Sequence, residues 1–245
     1  MKYFLLVDPP QSGAVNMARD EFLFRFASGQ AEKIVIFRFY TFSPACLSLG
    51  VFQSSKGIDL PWIHSLGMEV IRRPTGGRAV LHQYEITYSI VFPLEGSIFS
   101  GSIKDSYRKI SELIKEVLEQ LKIDCELSHP DLDDYQENFD CFRSPSYFEL
   151  IHRGKKILGS AQKREKNCCL QHGSLLLKRD PELSNRIFQE SGDYPELQID
   201  FRSFVETMVM TLEKKLKIKL TPCVIPPDNA LYLSLIEKYR TVDEK

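Results

Sequence analysis

The 245-residue chain is 43% hydrophobic and 27% charged, a balance that closes a substantial core, keeps a polar surface and excludes disorder as the main state. With 32 Lys and Arg against 33 Asp and Glu, the formal charge of -1 excludes a dominant electrostatic grip on nucleic acid and leaves only local basic patches to argue. No apolar run approaches the roughly 18 to 20 residues of a spanning helix, no linker divides the sequence, and a single domain over 1–245, with no membrane contact and a cytoplasmic location, is expected.

The opening MKYFLLVDPPQSG is an apolar run stopped by Asp8, Pro9 and Pro10 without a small-residue cleavage site, so it reads as a first strand rather than a signal peptide. The β-branched and aromatic run Ile34 to Phe42 and the segment Glu69 to Arg73, which ends at Pro74, read as strands. Glu85 to Phe92 alternates, with Ile86, Tyr88, Ile90 and Phe92 on one face, and predicts a strand with one face in the core. From Ile103 to Leu121 the apolar residues recur at spacings of three and four, predicting an amphipathic helix of about five turns, and Ser102 with Asp105 predicts a capping box at its start.

The polar passage His129 to Ser146 reads as a long surface loop. Tyr147 to His152 and Lys156 to Gln162 read as two strands around Arg153-Gly154, and Leu170 to Leu177 as a third. Helices are predicted from about Phe201 to Lys217 and about Asn229 to Arg240, with Pro222, Pro226 and Pro227 as breakers between them. Strands and helices follow no regular βαβ alternation, so a mixed-sheet α+β domain is expected.

Two places stand out chemically. In Arg72 to His82, RRPTGGRAVLH, two glycines between arginines allow close backbone approach, and free N–H groups with guanidinium forks suit phosphate or a polarised carbonyl. The same residues also fit a tight turn carrying solvated arginines, and neither G-x-x-x-x-G-K-[ST] nor G-x-G-x-x-G is present. The second place is Cys141, in the polar loop, with Lys156 fifteen residues later. A hairpin between them would return Lys156 toward the loop, where an ammonium beside a thiol favours the nucleophilic thiolate; a plain cytosolic thiol is the other reading. The remaining cysteines, Cys46, Cys125, Cys168, Cys169 and Cys223, contain no C-x-x-C pair and are expected as thiols. The five scattered histidines give no metal signature, and no G-x-S-x-G elbow supports a serine hydrolase on Ser160 or Ser174.

Several segments in chain order resemble the lipoate-protein ligase, octanoyltransferase and biotin ligase superfamily. They are Asn16-Met17-Ala18 with Asp20-Glu21, Arg38-Phe39-Tyr40 before Pro44-Ala45, Leu49-Gly50, RRPTGGRAVLH, EITYSI, CFRSPSYFEL, GKKILGSAQ and LQHGSLLL. Arg78 stands where the ATP-using ligases read a third glycine, and Cys141 lies in a C-F-x-x-P-S context, so the chain resembles most the cysteine-type octanoyltransferases. The resemblance implies a mixed sheet with flanking helices around an acyl tunnel, the catalytic-domain fold of biotin and lipoate protein ligases. It implies Cys141 as nucleophile and Lys156 as the residue that assists it. It further implies substrate binding by Arg72, Arg73, Thr75, Gly76, Gly77, Arg78, Ala79, Val80 and His82, and by Gly159, Ser160, Ala161, His172 and Gly173. Its expected partners are an octanoyl acyl carrier protein as donor and a lipoyl domain, of the glycine cleavage H protein type, as acceptor, with no cofactor and no metal. The alternatives are an ATP-dependent lipoate-protein ligase, which would use ATP and Mg, and a non-catalytic binding module.

Overall fold

The computed structural model describes residues 1–128, 141–142, 147–189, 194, 196–224 and 229–240. In chain order its elements are β1 (Lys2–Val7), α1 (Gly13–Ser28), β2 (Ile34–Tyr40), β3 (Cys46–Leu49), α2 (Leu60–Ser65), β4 (Glu69–Arg72), β5 (Val80–His82), β6 (Glu85–Pro93) and α3 (Ile103–Gln120). They continue with β7 (Glu126–Leu127), β8 (Leu150–His152), β9 (Lys155–Lys156), β10 (Leu158–Glu165), β11 (Cys168–Leu176), α4 (Pro181–Phe188), α5 (Phe201–Leu216), β12 (Thr221–Pro222) and α6 (Ala230–Arg240). Of the expected loop 129–146, Cys141 and Phe142 are described; the rest, like Pro226 and Pro227, lies outside the described residues.

A six-stranded sheet runs in the order β10-β11-β6-β2-β1-β12. It is mixed: β1 pairs parallel with β2 and β12, whereas β2, β6, β11 and β10 pair antiparallel in turn. One face carries Phe37, Phe39, Ile86, Ile90 and Phe92 into a core with Ile110, Leu113 and Val117 of α3 and Phe204, Met208 and Leu212 of α5. The opposite face packs Ile36, Val91 and Leu170 against Met17, Leu23 and Phe24 of α1 and Leu235 of α6. A second sheet, β4-β3-β5, packs Leu47, Leu49 and Leu81 against Ile63 of α2 and Ile187 and Phe188 of α4.

Helix α3 begins with the capping box, Asp105 N–H donating to Ser102 Oγ at 3.2 Å and Ser102 N–H to Asp105 Oδ2 at 3.0 Å. The turn at Arg153-Gly154, both at positive φ (49° and 74°), joins β8 to β9, as a two-residue hairpin turn requires. Strand β6 departs from expectation, since all nine of its residues are buried. Its polar face is covered as well as its apolar one, because Thr87 and Ser89 donate to the carboxylates of Glu85 and Asp20. Helix α1 has no counterpart among the expected elements: wedged between the sheet and α6, it buries Asn16, Asp20 and Glu21 along with its apolar residues, which erases the two-faced pattern.

Candidate active site

Between the large sheet and the β4-β3-β5 sheet lies a cavity. Arg73, Gly77, Val80, His82, Cys141, Gly159, Ser160, Ala161, His172 and Gly173 line it, as do Met17, Tyr40, Ser48, Thr87 and Ser174, which were not among the site residues expected from sequence. Arg72, Thr75, Gly76, Arg78 and Ala79 adjoin these lining residues along the loop.

The loop after β4 is held by its own arginines. Arg72 Nη1 donates to Gly50 O at 2.9 Å and to Gln53 O. Buried Arg73 donates through Nη1 to Ser48 O at 3.1 Å, and through Nη2 to Gly76 O and Arg78 O, each at 2.7 Å. The solvated-arginine reading therefore fails at both positions: each guanidinium grips backbone carbonyls of the loop or of the neighbouring β3 segment. Gly50 makes this possible, because a Cβ there would stand 2.0 Å from Gly77 O.

Two buried chains of carboxylate, imidazole and hydroxyl flank the cavity. Glu85 Oε1 lies 2.6 Å from His82 Nδ1, and His82 Nε2 lies 2.7 Å from Ser48 Oγ. Asp20 Oδ2 lies 2.9 Å from His172 Nδ1, and His172 Nε2 lies 2.6 Å from Thr75 Oγ1. A carboxylate only accepts, so each Nδ1 carries the proton and each Nε2 accepts from the hydroxyl. Burial pushes His172 below its ordinary value against the pull of Asp20, which keeps the imidazole neutral. Asp20 is itself held low: burial raises it, but the Arg38 charge and the bonds from His172 and Ser89 prevail. Arg38, fully buried, donates to Asp20 Oδ1 at 2.6 Å and Asp8 Oδ2 at 2.7 Å.

Cys141 and Lys156 come together. The Cys141 N–H donates to Ala79 O at 2.9 Å, which ties the cysteine to the strand that follows the glycine turn. Lys156, brought in by the β8–β9 hairpin, donates from Nζ to Cys141 O at 2.6 Å and stands 3.7 Å from Cys141 Sγ. The sulfur fits there because Gly159 is small; a Cβ on it would lie 3.1 Å from Sγ. A third group, missed in the sequence, completes the arrangement: Glu149 Oε2 lies 2.7 Å from Lys156 Nζ, with both side chains buried. The one signal for it was a lone acid inside the apolar run YFELI. Tyr107 OH donates to Ser160 O at 2.9 Å, and burial pushes the Tyr88 phenol, 2.8 Å from Ser160 Oγ, up to about 12.

The other five cysteines are free thiols placed elsewhere. Burial pushes Cys125 and Cys168 up to about 11 and Cys169 to about 12, and raises Cys46 and Cys223 as well. Of the six, Cys141 alone lines this cavity, with Lys156 Nζ and Gly159 beside its sulfur.

A profile of the lipoyl protein ligase A/B catalytic domain matches residues 12–221. The chain is 35% identical over 253 residues to the octanoyltransferase LipM of Lysinibacillus sphaericus, covering 93% of this chain and 91% of that protein. It is 33% identical to the octanoyltransferase LipM of Brevibacillus brevis, covering 98% and 96% respectively. Among solved structures, the bi-partite lipoate protein ligase of Thermoplasma acidophilum superposes with a TM-score of 0.77 over 100% of this chain and 95% of that one, at 20% identity. A lipoate-protein ligase A bound with ATP gives 0.76 over 97% and 94%, also at 20% identity. These structures share the fold.

Proposed function

Because the chain belongs to the lipoyl protein ligase A/B catalytic-domain family, with octanoyltransferase relatives matching nearly its whole length, we propose that it is an acyltransferase of protein lipoylation. It moves an octanoyl group from octanoyl acyl carrier protein to a lysine of a lipoyl domain. The observation that carries the reading is Cys141 at the cavity wall with Lys156 Nζ 3.7 Å from its sulfur, in a protein whose relatives bear the transferase name.

The chemistry runs in two displacements. The Cys141 thiolate attacks the carbonyl carbon of the donor thioester; a sulfur–carbon bond forms and the carrier thiolate leaves, taking a proton. The acyl chain then rests in the cavity as a thioester on Cys141. The neutral amine of the acceptor lysine attacks the same carbon, the amide forms, the Cys141 thiolate departs and the amine sheds a proton. Each tetrahedral intermediate carries an oxyanion, and the Lys156 ammonium with the N–H groups of the Gly76-Gly77 turn are the donors assigned to it. The hydroxyls of Ser48 and Thr75 turn their protons toward His82 and His172. The polar wall is therefore satisfied before an apolar chain arrives, and burying that chain strands no donor.

The fold shared with lipoate ligases gives the second reading, ligation of the free acid with ATP. One incubation separates the two. Pure protein and apo lipoyl domain are mixed either with octanoyl acyl carrier protein or with lipoate, ATP and Mg, and the acceptor mass is read. Gain of an octanoyl group in the first mixture is the expected result; modification in the second mixture alone would make the protein a ligase.

A further inference from the structure

Among the described residues Phe52 is the most exposed large apolar side chain, at 93%. Its nearest rivals lie elsewhere. Met210 and Ile103 belong to α5 and α3, which pack on the face of the large sheet opposite α1, and Val224 follows β12 at the sheet edge. A single exposed apolar residue is ordinary on a protein surface. Phe52 is set apart by how its backbone is held and by what lies beside it.

The residue stands on a turn fastened to the cavity wall. Gln53 N–H donates to Gly50 O at 3.0 Å and Val51 N–H to Thr75 O at 2.9 Å, while Arg72 Nη1 donates to both Gly50 O and Gln53 O. Gly50 packs directly on the Gly76-Gly77 turn, where a Cβ would stand 2.0 Å from Gly77 O. Gly77 lines the cavity and is itself exposed, so it marks the mouth. Two residues of chain span at most about 7 Å, which keeps Phe52 close to that mouth. An aromatic ring held out on a braced turn is pre-organised for contact: docking onto it costs little ordering entropy, and buried aromatic rings are prominent among the side chains that carry interface energy.

The transferase reading brings two macromolecules to this mouth, and their reach differs. The donor carries its thioester at the end of a long flexible prosthetic arm, so its folded body can stay clear of the rim. The acceptor has only a lysine on its four-carbon stem, so its fold must lie against the rim when the amine meets the acyl carbon. A standard interface buries about 800 Å² per partner, a disc about 16 Å in radius, and such a disc centred on the mouth takes in Phe52. We infer that Phe52 is the docking anchor for the acceptor, a folded lipoyl domain with an apolar residue within reach of its modifiable lysine. The identity of that partner rests on the transferase reading above.

The test separates the two half-reactions in the native protein, Phe52→Ala and Phe52→Tyr. Octanoyl enzyme is formed from octanoyl acyl carrier protein at several donor concentrations, then discharged with increasing apo lipoyl domain of the glycine cleavage H protein type, each step followed by intact mass. Phe52→Ala is expected to raise the acceptor concentration for half-maximal discharge about tenfold or more, with the rate at saturating acceptor retained. Phe52→Tyr keeps the ring and is expected to restore most of the loss. An unchanged half-maximal acceptor concentration in Phe52→Ala overturns the inference, as does an equal rise in the donor concentration needed for acylation, which would make Phe52 a donor contact. Because the ring stands in solvent, the native melting temperature is expected in each variant; should Phe52→Ala lose it, Phe52→Gln takes its place. Native protein that modifies the acceptor only from lipoate and ATP fails the transferase reading, and the same titration with those reagents still decides the docking role. Native protein that modifies no lipoyl domain in either mixture overturns both.

Discussion

At the scale of single residues, the account turns on groups whose environment differs from that of their chemical equals. Six cysteines have the same side chain, yet only Cys141 lines the cavity. Cys141→Ala is therefore expected to abolish octanoyl transfer while shifting the melting temperature by no more than a few degrees, since a half-exposed small side chain contributes little packing. Activity assays beside a thermal melt check both halves. Arg38 is the opposite case. Arg38→Met would leave buried Asp20 without its arginine and Asp8 with Arg19 alone, at a cost of about 3 to 5 kcal/mol, readable by urea denaturation. The pairing of Cys141 with Lys156 was legible because fifteen residues with an Arg153-Gly154 turn imply a hairpin. Glu149 was not, because one acid in an apolar run carries no period that tells inside from outside. The roles of Arg72 and Arg73 were equally hidden, since their partners are carbonyls that only the folded loop presents.

At the scale of elements, helix α1 is held to α6 by a buried carboxylate. Lys238 Nζ donates to Glu21 Oε2 at 2.6 Å, Tyr239 OH donates to the same oxygen, and Arg25 Nε donates to Glu21 Oε1 at 2.9 Å. Burial alone would raise Glu21, but these bonds outweigh it and hold the group at about 2. A carboxyl held that low binds fewer protons folded than unfolded, so its stabilisation is present above about pH 4.5 and is lost as the pH falls toward 2. Glu21→Gln is expected to flatten the acid side of a plot of melting temperature against pH; an unchanged slope would show that α6 does not depend on this carboxylate. Gly50→Ala tests the glycine turn in the same spirit. Its Cβ would meet Gly77 O at 2.0 Å, so the wall below Cys141 must shift, and transfer is expected to fall about tenfold or more at a modest loss of stability. Helix α3 was readable from sequence because one face meets water and the capping box marks its start. Helices α2 and α4, with Asp59 and Asp180 capping and Pro near the first turn, had start signals but too few turns to show a period.

At the scale of the molecule, the mixed α+β architecture followed from the irregular alternation of strands and helices, but the strand order did not. The neighbours β6 and β11 are some eighty residues apart in sequence, with His172 opposite Ser89, and nothing local encodes that register. It is this long-range pairing that carries His172, Ser174 and the polar face of β6 to one wall, opposite the arginine-braced turn of the smaller sheet. A strand that reads as half solvated is thus buried on both faces, its polar side serving the cavity. The most direct measurement of the central claim is the acyl-enzyme. Incubated with octanoyl acyl carrier protein, without acceptor or ATP, the protein is expected to gain one octanoyl group by intact mass. The adduct should map to Cys141, be released by neutral hydroxylamine, and discharge to a hydroxylamine-stable amide when apo lipoyl domain is added. Acceptor octanoylated without ATP by the Cys141→Ala protein would contradict the account.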